Sequence, residues 1–367
     1  MTPADVRLVG FGSRAPLAAA LAWIEANAAL LPAETVPVQD AVGRVLVVVP
    51  AGNPWPAADR AGLDGYAVCA AETEGASDYA PLALRHAELV VSGGPMPPGT
   101  DAILPHAGVR SGAVLEALAV AARSAGLERQ GAEGAAPLPG PLRREGMALL
   151  ALLGVPAVEA VRRPRVALVV AGPKSGPDVL TPLLQTLVGR DGGLAAAANL
   201  EDAGQDAANA ADMILLAGRT GCGGDDDMPQ RFAAAGGMLD LHGIAFRPGD
   251  TAGLGRLGSR PAVLLPGSPL SALSVYEALA GPAVRRLGGR TSPSHVERQA
   301  VLERKITSAI GCTDMVRVRL RDGRATPLGP ADTGGLGRAA SSDGWVIVPD
   351  GQEGYPAGAT VTVQCPA

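Results

Sequence analysis

Three uninterrupted apolar runs stand out along the chain: RVALVVAG at 165–172, DMILLAG at 212–218 and AVLLPGSP at 262–269, each running into a turn that carries glycine. Such runs predict strands buried on both faces. Helical periodicity lies between and after them, around 179–189, 204–210 and 228–236. Strands alternating with helices predict a parallel sheet covered on both sides, and ligands of such sheets bind outside the carboxyl ends of the strands. The three glycine-bearing turns are therefore expected to line one crevice.

Elsewhere the pattern changes. Residues 15–31, PLAAALAWIEANAALLP, predict an amphipathic helix with Leu17, Leu21, Ile24 and Leu31 on its apolar face and Pro32 ending it. A strand-like stretch turning at Gly43 follows, then an irregular loop over 53–63. From DGYAVCA to about 140 the chain reads as β-rich, with strands at Leu82–Leu84, Glu88–Val91 and Ala102–Leu104; the alanine-rich 115–125 is the one helix-like pattern in it. GMALLALLG predicts a short helix, and after the linker RRLGGRTSPSH the residues from 296 onward read as all-β. The fold class predicted is multidomain α/β.

Apolar residues make up 47% of the 367, enough for a sizeable core, and no apolar stretch reaches the length of a membrane span. The formal charge of −5, with no basic block, argues against nucleic acid as a partner. No leader pattern opens the chain, so a cytoplasmic protein is expected. The four cysteines and four histidines form no ligand-spaced set, and neither disulfides nor a Cys/His metal site is expected. The chain has only two lysines, Lys174 and Lys305.

The converging turns carry the candidate chemistry. In Pro266-Gly267-Ser268-Pro269, Pro269 suits the first helical position, Ser268 the N-cap and Ser271 the first turn. Free amides and the positive end of the helix dipole there suit an anion, although the same pattern also makes an ordinary strand-to-helix turn. The turn at 169–178 has Gly172 and Gly176 to free its backbone, and Lys174 to hold an oxyanion or to sit solvated. The turn at 217–230 has four glycines, Gly224 among them, followed by Asp225, Asp226 and Asp227. Clustered carboxylates suit Mg²⁺, while Asp227 alone could cap the next helix. Outside this region, Asp64-Gly65 makes a tight turn into a strand, at the end of a loop long enough to carry function.

Taken together these motifs resemble the MoeA-like molybdopterin molybdenumtransferases, the family that includes the E-domain of gephyrin. GLDGYAV is similar to the family's M-D-G-Y-A-V, and VVSGGPMPPGTDAILP to its T-G-A-P…G-x-D-A-V segment. RRPRVALVVAG resembles its rPrVai…TG strand. FRPGDTAGLG followed by LLPGSPLSAL resembles K-P-G-K-P…G followed by L-P-G-N-P-V-S-A, and GWVIVPDGQEGYPAGATVTV resembles its final β-domain. The resemblance spans nearly the whole chain. It implies four parts: a helical and linker part at 1–52 and 141–163, an inserted β-rich domain at 53–140, a central molybdopterin-binding α/β domain at 164–290 with a parallel-type sheet, and a C-terminal β-domain at 296–367.

The resemblance also implies a homodimer whose cleft joins the α/β domain of one chain to the first parts of the other. The implied partners are other proteins of molybdenum cofactor biosynthesis or a recipient molybdoenzyme. The implied reaction is insertion of molybdate into adenylylated molybdopterin with Mg²⁺ and release of AMP. Asp64, Glu133 and Asp227 would be its catalytic carboxylates, Asp64 and Asp227 holding the metal. Ser92, Gly172, Lys174, Gly224, Arg247, Pro266, Gly267, Ser268 and Ser271 would bind the cofactor. The chain departs from the family in several turns. The family's G-D-E-L reads Gly172-Pro173-Lys174-Ser175, its G-G-V-S-V-G reads RTGCGG at 219–224, and its K-P-G-K-P has Asp250 for the second lysine. These changes keep a second expectation open, a non-catalytic molybdopterin carrier or scaffold.

Overall fold

A computed structural model describes residues 5–172, 176–200 and 211–366. Lys174 and the helix expected at 204–210 lie outside the described residues. The chain divides into two compact units, one formed by 1–34 with 161–367 and the other by the contiguous segment 35–160.

The first unit is built on a six-stranded sheet. Leu194–Ala197, Arg165–Val170, Met213–Ala217 and Arg260–Leu265 run parallel in that spatial order. Gly253–Leu257 and then Gly237–His242 extend the sheet antiparallel, with a register shift between Leu239 and Leu241. The apolar runs are continuous because both faces are covered. Met213, Leu215, Ala217, Val263 and Leu265 face one core with the helix Leu180–Arg190 and the helical stretch that begins at Pro269. Ile214, Leu216, Ala262 and Leu264 face the other, with Met228 and Phe232 of the helix Met228–Ala234. The fold class is the α/β class that the pattern predicts, with a hairpin added to the parallel strands.

The helix expected over 15–31 is shorter, Leu17–Asn27. Asn27 Nδ2 donates to the Trp23 carbonyl at 2.8 Å, which competes with the helical ladder and helps end the helix before Pro32. Its buried residues are Ala20 and Ile24, followed by Ala28 at the C-cap; Leu21 points to solvent at 38% exposure, contrary to the apolar face read from the sequence. The small alanines bring this helix close to the core, and Leu17, Trp23 and Leu31 pack at its edges. Just before it, Ala15 and Pro16 pair in parallel with Ile244 and Ala245. That second strand, Ile244–Arg247, continues into the C-terminal sheet by pairing with Thr313–Arg321.

A buried charge cluster packs among these elements. Asp191, 1% exposed, receives Arg285 Nη1 on Oδ1 and Arg190 Nη2 on Oδ2, both at 2.9 Å. Arg190 also makes a two-pronged pair with Glu277 at 2.7 and 3.0 Å. The Tyr276 hydroxyl lies buried beside the cluster, and burial raises its pKa.

The second unit holds two three-stranded sheets, and its residues 115–125 form no helix. Leu115–Ala117 is instead a strand captured by its hairpin partner Val109–Ser111, and it pairs on its other side with Leu82–Ala83. Gly65 begins the central strand Gly65–Val68 of the other sheet, between Ala87–Val90 and Ala102–Leu104. A Cβ at Gly65 would lie 2.2 Å from the Leu104 carbonyl oxygen, so the Asp-Gly sequence is demanded by the close approach of a neighbouring strand. Among the described residues no helix is long and apolar enough to cross a membrane.

Candidate functional site

The carboxyl ends of the 165–170, 213–217 and 260–265 strands lie side by side, and the turns that leave them border a cleft of about 580 Å³. Gly218 has a φ of +91°, and a Cβ there would come 3.2 Å from the Ala171 Cβ and 3.9 Å from the Gly267 Cα. The positive φ is what calls for glycine here, and the two turns lie close together. Ser268 is the N-cap residue of the helix beginning at Pro269, but its hydroxyl makes no capping hydrogen bond. The hydroxyl and the first amides of the helix are thereby left for a ligand.

The loop after the 213–217 strand forms one wall. Thr220, 1% exposed, meets Thr251 hydroxyl to hydroxyl at 3.2 Å, tying this wall to the turn at 249–251. His242 Nε2 donates to the Thr220 carbonyl at 3.0 Å, which fixes the tautomer and leaves Nδ1 a buried acceptor without a partner. Phe11 meets the His242 ring edge-on at 4.8 Å, and Arg14 pairs with Asp250 on the cleft wall at 2.7 Å. With the Leu8 amide donating to the Cys222 carbonyl at 2.8 Å, the segment before the first helix fastens both sides of the cleft.

Burial holds the His242 pKa below the ordinary imidazole range, the Thr220 bond opposing it only in part. The fold thus favours the neutral ring. Its contribution to stability is complete above the unfolded value, about 6.5, and is lost as pH falls from there toward the depressed folded value. His295, also lowered by burial and by Arg285, adds to the same trend. Denaturation midpoints at pH 7.5 and 5.5, values on the order of one unit either side of that pKa, are expected to fall on acidification. The fall should be smaller in His242→Gln; an equal fall in the variant would refute the assignment.

In the second unit, Asp64 and Ser92 come together: the Ser92 amide donates to Asp64 Oδ1 at 2.7 Å, and its hydroxyl donates to the Gly62 carbonyl at 3.3 Å. The loop at 53–63 is ordered by a second segment, 126–133. Trp55 and Glu133 exchange both backbone hydrogen bonds at 2.8 Å, Gly131 donates to the Pro56 carbonyl, and Gln130 donates to Asp59. Arg60 lies over the Trp55 ring at 4.5 Å and pairs with Glu128. Asp64 and the Glu133 side chain are both exposed.

Sequence models of three regions match the chain. The MoeA N-terminal region (domain I and II) matches 15–146, a "Probable molybdopterin binding domain" matches 186–286, and the MoeA C-terminal region (domain IV) matches 299–365. The chain belongs to the MoeA-like family. Molybdopterin molybdenumtransferase 2 of Mycobacterium tuberculosis is 28% identical to this MoeA-like chain over 371 aligned positions, covering 86% of it and 91% of the relative. Molybdopterin molybdenumtransferase 1 of the same organism is 30% identical over 166 positions, covering 42% of this chain and 39% of the relative. The molybdopterin biosynthesis moeA protein of Pyrococcus horikoshii OT3 shares the fold, with a TM-score of 0.75 at 22% identity over 96% of this chain and 100% of that one.

Of the residues singled out in the MoeA-like sequence, Gly172, Pro266, Gly267, Ser268 and Ser271 line the cleft. Gly224, Asp227 and Arg247 do not, and Lys174 is not described. Arg247 was expected to hold an oxyanion, but its guanidinium is taken by Asp314, 2% exposed, in a two-pronged pair at 2.8 Å that raises the arginine pKa. Asp227 holds the N-cap position of the 228–234 helix without capping it; its Oδ1 is buried with no hydrogen bond, 3.5 Å from Arg219 Nη1. Asp64, Ser92 and Glu133 belong to the other unit. Sequence reasoning missed Arg219, Thr220 and Thr251 on the cleft wall, and it named Asp226 and Asp250 only as part of a carboxylate cluster and as a departure from the family's basic turn. The one signal in reach was a large charged residue directly after a strand-ending glycine, at Gly218-Arg219.

Proposed function

We propose that this chain acts in molybdenum cofactor biosynthesis as a molybdopterin molybdenumtransferase, inserting molybdate into adenylylated molybdopterin with release of AMP. The observation that carries the reading is the cleft at the carboxyl ends of three parallel strands, in the region similar to a molybdopterin-binding domain. The helix start at 268–271 would receive the phosphates on its amides and on the free Ser268 hydroxyl. Gly172, Gly218 and Gly267 would let the ligand approach the backbone. Asp64, fixed by the Ser92 amide, would act as the charged group that orients the incoming oxyanion. Incubation with adenylylated molybdopterin and molybdate should release AMP; binding of the pterin with no release would leave the carrier function instead.

Mg²⁺ fits the described residues poorly. The carboxylates that line the cleft, Asp178, Asp226 and Asp250, are each engaged within the chain. The orphaned oxygen of Asp227 has Arg219 as its ion-pair partner. This pairing is also what favours the carrier reading. The proposal includes a homodimer, as the family resemblance implies. Light scattering at micromolar protein should give twice the chain mass of 36.8 kDa; a monomer mass would refute it.

A further inference from the structure

Arg219 leaves the 213–217 strand with a φ of +56°. A residue with a Cβ adopts the left-handed region only against a steric cost, and such strain gathers at binding sites. Among the described residues lining the cleft, Arg219 is the only Lys, Arg or His. The three carboxylates that line the cleft are each engaged within the chain. Asp178 accepts the Leu180 and Thr181 amides at 3.0 and 3.1 Å, Asp226 accepts the Gly223 amide at 2.7 Å, and Asp250 pairs with Arg14. The guanidinium of Arg219 is 40% exposed, and it rests against Asp227 at 3.5 Å without closing a hydrogen bond. A divalent cation ordinarily joins a carboxylate to phosphate oxygens. A guanidinium beside a carboxylate supplies positive charge to phosphate directly, and its planar fork matches two phosphate oxygens.

We propose that Arg219 is the phosphate-contacting side chain of the cleft and stands beside Asp227 in the place of a divalent cation, so that phosphate esters bind here without Mg²⁺. The inference rests on the reading of the cleft as the site of a phosphorylated pterin, and it deepens that reading by naming the group that selects the ligand. Glycine adopts the backbone conformation of residue 219 freely. Arg219→Gly therefore keeps the fold while removing the charge, and its thermal midpoint should not fall below that of the wild type.

The test is calorimetric titration of the full chain with AMP, in EDTA and again in excess MgCl₂. The wild type should bind AMP with the same affinity in both buffers. Arg219→Gly should bind about 10- to 100-fold more weakly, as expected for loss of a hydrogen-bonded charge pair. Arg219→Lys, which keeps the charge without the fork, should fall between them. Tenfold tighter wild-type binding in MgCl₂, or undiminished binding by Arg219→Gly, would overturn the inference and leave the cleft reading intact. Absence of wild-type binding in both buffers would overturn the two together.

Discussion

Asp64→Asn should slow AMP release from adenylylated molybdopterin by about 100-fold or more, the usual loss when a charged group acting at the reacting centre is neutralised. The substitution is chosen for what it preserves. Asp64 Oδ1 accepts the Ser92 amide at 2.7 Å, and an asparagine oxygen can accept the same bond. The Ser92 amide therefore stays satisfied, and the turn into the 65–68 strand keeps its geometry. Only the charge leaves. The residue is exposed, so little packing changes and the thermal midpoint should hold. Turnover and unfolding measured on one preparation separate the two effects. Turnover within threefold or so of wild type, far below the loss expected of a catalytic carboxylate, would remove Asp64 from the reaction.

Asp191→Ala should lower the free energy of unfolding by about 3–5 kcal/mol, the cost of breaking a buried ion pair by removing one partner. The carboxylate serves two arginines at once. Arg190 would keep Glu277, but Arg285, only 11% exposed, would keep Ser294 at 3.1 Å and lose its counter-charge. The penalty comes from the arginine left behind more than from the bond removed. Asp191→Asn retains an acceptor and should lose less. Denaturant titrations of both variants test the ordering; a loss under about 1 kcal/mol in the alanine variant would place Asp191 among surface pairs. The cluster joins the end of the helix at 180–190 to the helical stretch after Pro269, so its loss should loosen the packing between those two elements.

Three of the four parallel strands were legible in the sequence because burial on both faces leaves an unbroken apolar run and glycine marks where each run stops; the edge strand Leu194–Ala197, largely exposed, leaves no such run. The added hairpin was not, since GMLDLH and GLGRL mix glycine, charge and leucine without a clean period, and a bulge breaks the register between them. Asn27 shows a finer limit: a side-chain bond that competes with the ladder lies at the end of a helix whose sequence permits another turn. The cleft was legible where its walls are backbone, at Gly172, Gly267 and Ser268. It was hidden where a side chain decides. Arg247 looked like the oxyanion holder and is taken by Asp314, 67 residues further along the chain. Asp250 owes its pairing to Arg14, 236 residues away. Neither separation leaves a trace in local spacing.

The pairing of Ala15 and Pro16 with Ile244 and Ala245 sets an order of assembly during synthesis. The unit at 35–160 is contiguous and can close as soon as it clears the ribosome. The first helix cannot: the strand beside it finds its partner only after more than two hundred further residues are made, roughly ten to fifty seconds at ordinary elongation rates. Throughout that interval Ala20, Ile24 and Ala28 lack the core that buries them in the folded chain, and a chaperone has its opportunity at the first helix while the inserted unit is already folded.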